Sequence, residues 1–302
     1  MAFKDLISIN DLTTTEIQKI FTTAADLKAN PLNYSGALAG RSVALIFEKP
    51  SLRTRVSFEA GMTQLGGGSL FLGSDVGFGA RESLPDFARV LSQYVDGVVI
   101  RANRHQTVAE LAQHSSCPVI NGLTDYAHPC QALADLFTLR ELVGRLSGLT
   151  LAFVGDANNV ARSLAEGCGR LGMRIVLATP KAYQFGADDV AVLRRDVPNL
   201  DLTICEDPVK AVRGAVAVYT DVWTSMGQEA ESARRRSDFA AYQVNAALMK
   251  HAPEAYFMHC LPAHRGQEVT DEVIDGPSSL VVQQAANRLH VQKGILAWLL
   301  SR

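Results

Sequence analysis

The stretch Ser42-Val43-Ala44-Leu45-Ile46-Phe47-Glu48-Lys49-Pro50-Ser51-Leu52-Arg53-Thr54-Arg55 decides the fold. Its apolar run through Phe47 has the length of a buried strand, Pro50 breaks the run, and Ser51 stands where a helix N-cap belongs. Beyond it Phe58, Met62 and Leu65 recur at helical spacing, so the segment reads as strand, tight turn and a helix over 51–65. The same alternation continues along the chain. Strands are expected at Ser42–Phe47, 69–72, Gly97–Arg101 and 118–121, with helices over 51–65, 83–95 and 107–113. Strand signals resume at 149–154, Arg174–Ala178, 202–205, 216–220 and 256–260, again with helical patterns between them. The apolar runs are nearly continuous, as in parallel sheets covered on both faces, and the class is α/β. A long helix over 128 to about 146 links the two series without a Pro- or Ser-rich linker, and another over 278–300 closes the chain. The expectation is two domains, 1–145 and 146–302, each a parallel β-sheet flanked by helices. The last helix, about 278–301, would pack back on the first domain.

Composition narrows the function. The 302 residues are 47% hydrophobic and 20% charged with a net charge of −2, the make-up of a globular enzyme and not of a disordered chain. Neither nucleic acid nor an anionic membrane is an expected partner, since both call for a marked excess of Lys and Arg. Arg234-Arg235-Arg236, beside Glu229 and Glu231, reads as a solvated loop. Cys117, Cys130, Cys168, Cys205 and Cys260 are scattered and never spaced C-x-x-C, which suits a reducing cytoplasm and indicates no zinc knuckle. With no leader at the start and no run near the roughly 18 apolar residues of a membrane span, a soluble cytoplasmic protein is expected.

Chemistry is written at the ends of the strands. Ser51 opening a helix, with Arg53, Thr54 and Arg55 close behind, makes either an anion site fed by first-turn amides and guanidinium groups or a solvated helix start. His128 and Gln131 in His128-Pro129-Cys130-Gln131 are three apart, so an imidazole and an amide share one helix face. A His before a Pro also serves as a cap or surface residue. Arg101 ends a strand and is either solvated or aimed into the same edge. Gly155-Asp156-Ala157-Asn158-Asn159 sits where a dinucleotide fingerprint would lie but lacks its glycine spacing, which disfavours a nicotinamide reductase. Asp221 begins a polar segment running through Trp223, Ser225, Met226 and Glu229, suited to a mobile lid, and its carboxylate could pair with an ammonium group. His259 and His264 flank Cys260, yet no Asp, Glu or Cys spacing completes a metal set, and the reading is metal-free.

Together, P-S-L-R-T-R at 50–55, H-P-C-Q at 128–131, G-D-A-N-N at 155–159, D-V-W-T-S-M-G-Q-E at 221–229, H-C-L-P-A-H-R-G at 259–266 and A-A-N-R at 285–288 resemble the aspartate/ornithine carbamoyltransferase family, in its ornithine branch. The resemblance implies a carbamoyl-phosphate domain followed by an ornithine domain, assembled as a homotrimer or a multiple of trimers, with no metal and no organic cofactor. It implies transfer of the carbamoyl group of carbamoyl phosphate to the side-chain amine of ornithine, giving citrulline and phosphate in arginine metabolism, with arginine biosynthesis preferred over breakdown. Ser51, Arg53, Thr54 and the Leu52 amide would cradle the phosphate with help from Arg101. His128, Gln131, Arg101 and Thr54 would hold the carbamoyl carbonyl, and Arg288 would reach the same group. Asn159, Asp221, Ser225 and Met226 would hold ornithine, and Cys260 and Leu261 would lie where the substrates meet. Arg101, His128 and Cys260 are the expected catalytic residues, the first two as cations polarising the carbonyl, the last as proton acceptor or as packing. The alternatives are a carbamoyltransferase for N-acetylornithine or putrescine and a non-catalytic paralogue.

Three positions depart from the family pattern. Leu52 stands where threonine is usual, and its side chain is expected to point into a packed or subunit-facing environment. Gly77 lies near the place of a glutamine often contributed by a neighbouring subunit, and Ala286 replaces an acidic residue.

Overall fold

The computed structural model describes residues 4–73, 76, 78, 81–225 and 229–301, so Gly77 and Met226 lie outside the described residues. Its chain divides into two units, Met1–Phe137 with Ala286–Arg302, and Thr138–Ala285. In the first unit, four parallel strands, β1 (Ser42–Phe47), β2 (Gly68–Leu72), β3 (Gly97–Arg101) and β4 (Val119–Leu123), stand in the order β2-β1-β3-β4. The chain runs from β1 outward to β2, then reverses to β3 and β4. The crevice at the carboxyl ends of β1 and β3 is therefore the switch point where ligands collect in open α/β sheets. Alternate inward residues of these strands, Ala44, Ile46, Val98, Ile100 and Val119, form one buried cluster.

An element absent from the sequence expectations precedes the sheet: α1 (Thr14–Ala29), opened by a capping box in which Thr13 and Glu16 satisfy each other's backbone amides. It buries Ile17, Ile20, Phe21, Ala24 and Leu27. The helices α2 (Leu52–Gln64), α3 (Leu84–Leu91), α4 (His105–His114) and α5 (Pro129–Val143) follow. Here α3 and α5 are shorter than expected. Ser92 caps the first, and Gly144, at φ 74°, ends the second in a conformation that costs glycine least. The expectation of strands covered on both faces fails at β2. It is an edge strand, and Leu70 and Phe71 are 52% and 39% exposed.

The second unit holds β5 (Thr150–Val154), β6 (Arg174–Ala178), β7 (Asp201–Cys205), β8 (Ala217–Thr220) and β9 (Tyr256–His259), all parallel in the order β7-β6-β5-β8-β9. Its helices are α6 (Asn159–Arg170), α7 (Ala187–Asp196), α8 (Pro208–Val212), α9 (Ser232–Phe239), α10 (Ala246–Met249) and α11 (Asp271–Ile274). The direction reverses between β5 and β8, which places the 155–159 turn and Asp221 side by side at a second switch point. The last helix, α12 (Val281–Leu300), starts in this unit and contributes Ala286 onward to the first.

Candidate active site

In the first unit Ser51 takes an extended backbone at the start of α2, and its Oγ accepts the Thr54 N–H at 3.3 Å and donates to Thr54 Oγ1 at 3.1 Å. This cap frees the amides of Leu52 and Arg53 to face a ligand at the positive end of the helix. Thr54 is fully buried, and its Oγ1 also accepts from Arg288 Nη2 at 3.0 Å. The other arm of the same guanidinium, Nη1, donates to Gln131 Oε1 at 2.8 Å, and Gln131 Nε2 donates to Asp135 Oδ1 at 2.7 Å. One fork thus ties α2, α5 and α12 together, and the Asp135 carboxylate fixes which end of the Gln131 amide faces it.

Arg101 ends β3 and is 6% exposed, so the solvated reading does not hold. The ladder with β4 shifts register between Ile100 and Arg101, an irregularity that re-aims a side chain at a sheet edge. Gly122 sits at that shift because a Cβ there would meet Ile100 O at 3.3 Å and Thr54 Cγ2 at 3.4 Å. His128, 4% exposed, is no surface residue. Its carbonyl accepts the amides of Gln131 and Ala132 at the start of α5. Burial, with the Arg288 and Arg101 charges beside it, holds its imidazole well below the usual histidine value. The expectation of a cationic His128 is therefore corrected. The ring is neutral, and the positive charge near it belongs to the arginines.

Two members of the 50–55 motif turn away from this cluster. Arg55 pairs with Glu59 at 3.0 Å and stacks 3.6 Å from the Phe71 ring centre. Leu52 is 76% exposed, so the packed environment expected for it is absent within the chain.

In the second unit Asp221, 7% exposed, follows β8 and gathers three donors. Asn158 Nδ2 and the Val222 amide donate at 2.8 Å each, and Cys260 Sγ lies 3.0 Å from Oδ1. Asn158 is itself fixed as N-cap of α6, its Oδ1 accepting the amides of Val160 and Ala161 at 3.0 Å. Asn159 and Ser225 are half-buried near these two turns. Leu261 has φ 57°, and its N–H donates to His259 Nδ1 at 2.8 Å.

The carboxylate that sequence spacing did not supply is brought in by the fold: Asp221, His259 and Cys260 place one ligand-type atom each within 4.8 Å. The imidazole nevertheless does not suit a cation. Its Nδ1 accepts from Leu261 and its Nε2 faces Glu268 Oε1 at 3.3 Å, so neither ring nitrogen offers a lone pair outward. Asp221 and Cys260 alone are too few for a metal site.

Four residues of these clusters were not singled out from the sequence: Asp135, Asn158, Arg235 and Glu268. Arg235 corrects the solvated-loop reading of 234–236, for it lies on α9 at 6% exposure and bonds Asp156. Glu268 is fully buried against His259 and the His264 amide.

Comparison with known proteins is consistent across three lines. Residues 4–141 match the carbamoyl-P binding domain of aspartate/ornithine carbamoyltransferase, and residues 147–299 match its Asp/Orn binding domain. The chain is 51% identical over 298 residues to an ornithine carbamoyltransferase of Bacillus subtilis, covering 97% of this chain and 92% of that one. It is 50% identical over 303 residues to that of Carboxydothermus hydrogenoformans, covering 98% and 97%. The solved ornithine carbamoyltransferase of Pyrococcus furiosus superposes with a TM-score of 0.94 at 46% identity, covering 99% of this chain and 97% of that one.

Proposed function

Because the chain belongs to the aspartate/ornithine carbamoyltransferase family, we propose that it transfers the carbamoyl group of carbamoyl phosphate to the side-chain amine of L-ornithine, giving L-citrulline and phosphate. The observation that carries this reading is the Arg288 fork on Gln131 and Thr54, beside a capped helix start and two buried arginines. An acyl phosphate needs that combination, with cations and amides for its phosphoryl oxygens and a separate donor set for its carbonyl.

In this reading Ser51, the Leu52 amide, Arg53 and Thr54 bind the phosphoryl group with Arg101. Arg101, His128, Gln131 and Arg288 hold the carbamoyl group, His128 as a neutral hydrogen-bond donor. Asn159, Asp221, Ser225 and Met226 bind ornithine, with Asp221 pairing with its α-ammonium. Cys260 and Leu261 lie at the reacting end. The attacking amine must be neutral, and stripping its proton at pH 7 costs about 4 kcal/mol. Orientation of two bound partners offsets this, contributing about 7–11 kcal/mol when the reacting atoms are aligned. As the amine attacks, the tetrahedral oxyanion is met by the Arg101 and Arg288 charges, and the electron pair of the breaking C–O bond leaves on phosphate at the α2 start. The departing phosphate takes the amine proton.

We further propose that the chain forms a homotrimer or a multiple of trimers. Leu52, Val56, Leu70 and Phe71 on α2 and the edge strand β2 are exposed apolar residues of the kind a second copy covers. No disulfide joins any of the five cysteines, which supports a reducing cytoplasm. The test is citrulline production from carbamoyl phosphate with ornithine, N-acetylornithine, putrescine and aspartate in parallel. Ornithine alone should give product at a high rate. Turnover of another amine in its place would reassign the substrate, and no turnover of any would indicate a non-catalytic paralogue.

A further inference from the structure

Arg235 is the buried member of its arginine run, whereas Arg234 and Arg236 are exposed. Its Nη1 donates to Asp156 Oδ2 at 2.8 Å and to the Trp223 carbonyl at 2.9 Å. Its Nε donates to Glu231 Oε2 at 3.0 Å, and its guanidinium carbon lies 4.8 Å from the Tyr183 ring centre. The Tyr183 carbonyl in turn accepts the Ala157 amide at 3.3 Å. One side chain therefore ties the turn after β5 to the segment after β8. That turn continues into Asn158, whose Nδ2 is the 2.8 Å partner of Asp221.

We propose that Arg235 is a positioning residue for the amino-acid substrate. It holds the 155–159 turn and the 221–225 segment at the separation at which Asn159 and Asp221 engage ornithine, without touching ornithine itself. The inference rests on the reading of those two residues as ornithine contacts. Asp156 is the sensitive partner. Burial raises its carboxyl above the usual range, Arg235 pulls it back, and Asp221 pushes it up again. Without the guanidinium, Asp156 loses its counter-charge while the Asp221 charge still acts on it, and the turn that carries Asn158 moves away from Asp221. A lysine keeps the charge but cannot serve Asp156 and the Trp223 carbonyl from one nitrogen while a second nitrogen of the same plane holds Glu231.

The test uses the full chain with Arg235→Lys, Arg235→Met and Asp221→Asn, each assayed for citrulline with either substrate varied, alongside thermal unfolding. Arg235→Met should raise the KM for ornithine about ten-fold or more while the KM for carbamoyl phosphate stays within about two-fold. Arg235→Lys should unfold near the unaltered temperature and still raise the ornithine KM about three- to ten-fold, a split that a purely structural role would not produce. Should Arg235→Met fail to fold, the lysine variant decides. An unchanged ornithine KM in Arg235→Lys, or a parallel rise for both substrates, would overturn the proposal. An Asp221→Asn enzyme with unchanged ornithine KM would overturn the ornithine-site reading beneath it, and absence of citrulline from the unaltered chain would overturn the functional reading itself.

Discussion

Replacing Arg288 by lysine keeps a positive charge and removes a fork, which makes it the sharpest probe of the proposed carbamoyl-phosphate cluster. The guanidinium serves Gln131 Oε1 at 2.8 Å and Thr54 Oγ1 at 3.0 Å through different nitrogens. A single ammonium on a shorter reach gives up at least one of these charged hydrogen bonds, about 1.5–3 kcal/mol, or about 10- to 150-fold in kcat/KM for carbamoyl phosphate. The KM for ornithine should move by no more than about two-fold. Arg288→Gln adds a second readout. Burial is the first cause of the lowered His128 value and the Arg288 charge the second. Removing the charge leaves His128 below its ordinary value but raises it partway. On the proposed reading neutral imidazole is the working form and is lost as pH falls through the folded-state value, so the acid limb of kcat/KM should move to higher pH while staying on the acid side of the ordinary histidine range. Steady-state rates across that range, with imidazole NMR on the same proteins, provide the check. An Arg288→Lys enzyme within about three-fold of the unaltered one, or an Arg288→Gln profile that superposes on it, would refute the reasoning.

Asp221→Asn removes the proposed counter-charge of the ornithine α-ammonium. It should raise the KM for ornithine about 10- to 150-fold, while calorimetry shows carbamoyl phosphate affinity within about two-fold. Leu52→Thr should leave the KM for carbamoyl phosphate within a few-fold. Because Leu52 is 76% exposed, its cost should appear in assembly, as roughly 1–2 kcal/mol of lost apolar burial per protomer, measured by sedimentation against concentration. Asp5, whose carboxylate accepts the Val119 amide at 2.8 Å, has its pKa raised by burial to about 6. The folded state therefore binds the proton more tightly than the unfolded one, and stability falls as pH rises from about 4 to 6. Asp5→Asn should be more stable than the unaltered chain at pH 7.5 by about 1–2 kcal/mol, partial exposure allowed for, and this gain should vanish near pH 4 in thermal unfolding.

Strands were legible where β-branched residues run between turn formers. Ser42–Phe47, Gly97–Arg101 and Arg174–Ala178 occur with the bounds their composition predicts. The Thr13 to Glu16 capping box and the period of Ile17, Ile20, Phe21, Ala24 and Leu27 were equally local, and they mark α1, which the sequence reading passed over. What local pattern does not carry is which way a side chain turns. Arg234, Arg235 and Arg236 are chemically alike in sequence, and only the packing of α9 against a turn 79 positions away makes Arg235 the interior one. The protonation of His128 was misread for the same reason, since the desolvation and the two guanidinium charges that neutralise it come from β3 and α12. Glu268 was invisible because its partner His259 is defined by a strand end, not by a spacing.

The two switch points differ in sign. The first gathers Arg101 and Arg288 and keeps its histidine uncharged, whereas the second gathers Asp156 and Asp221 with a thiol. On the proposed reading, each cleft repels the other's substrate. A doubly anionic acyl phosphate straying to the second sheet meets carboxylates, and an amino acid with two ammonium groups straying to the first meets arginines. Sorting of this kind works before any contact is made, because long-range potential filters encounters by charge. Added salt would blunt the filter while leaving the close hydrogen bonds intact, so mutual inhibition between the two substrates is the signature by which its loss becomes visible.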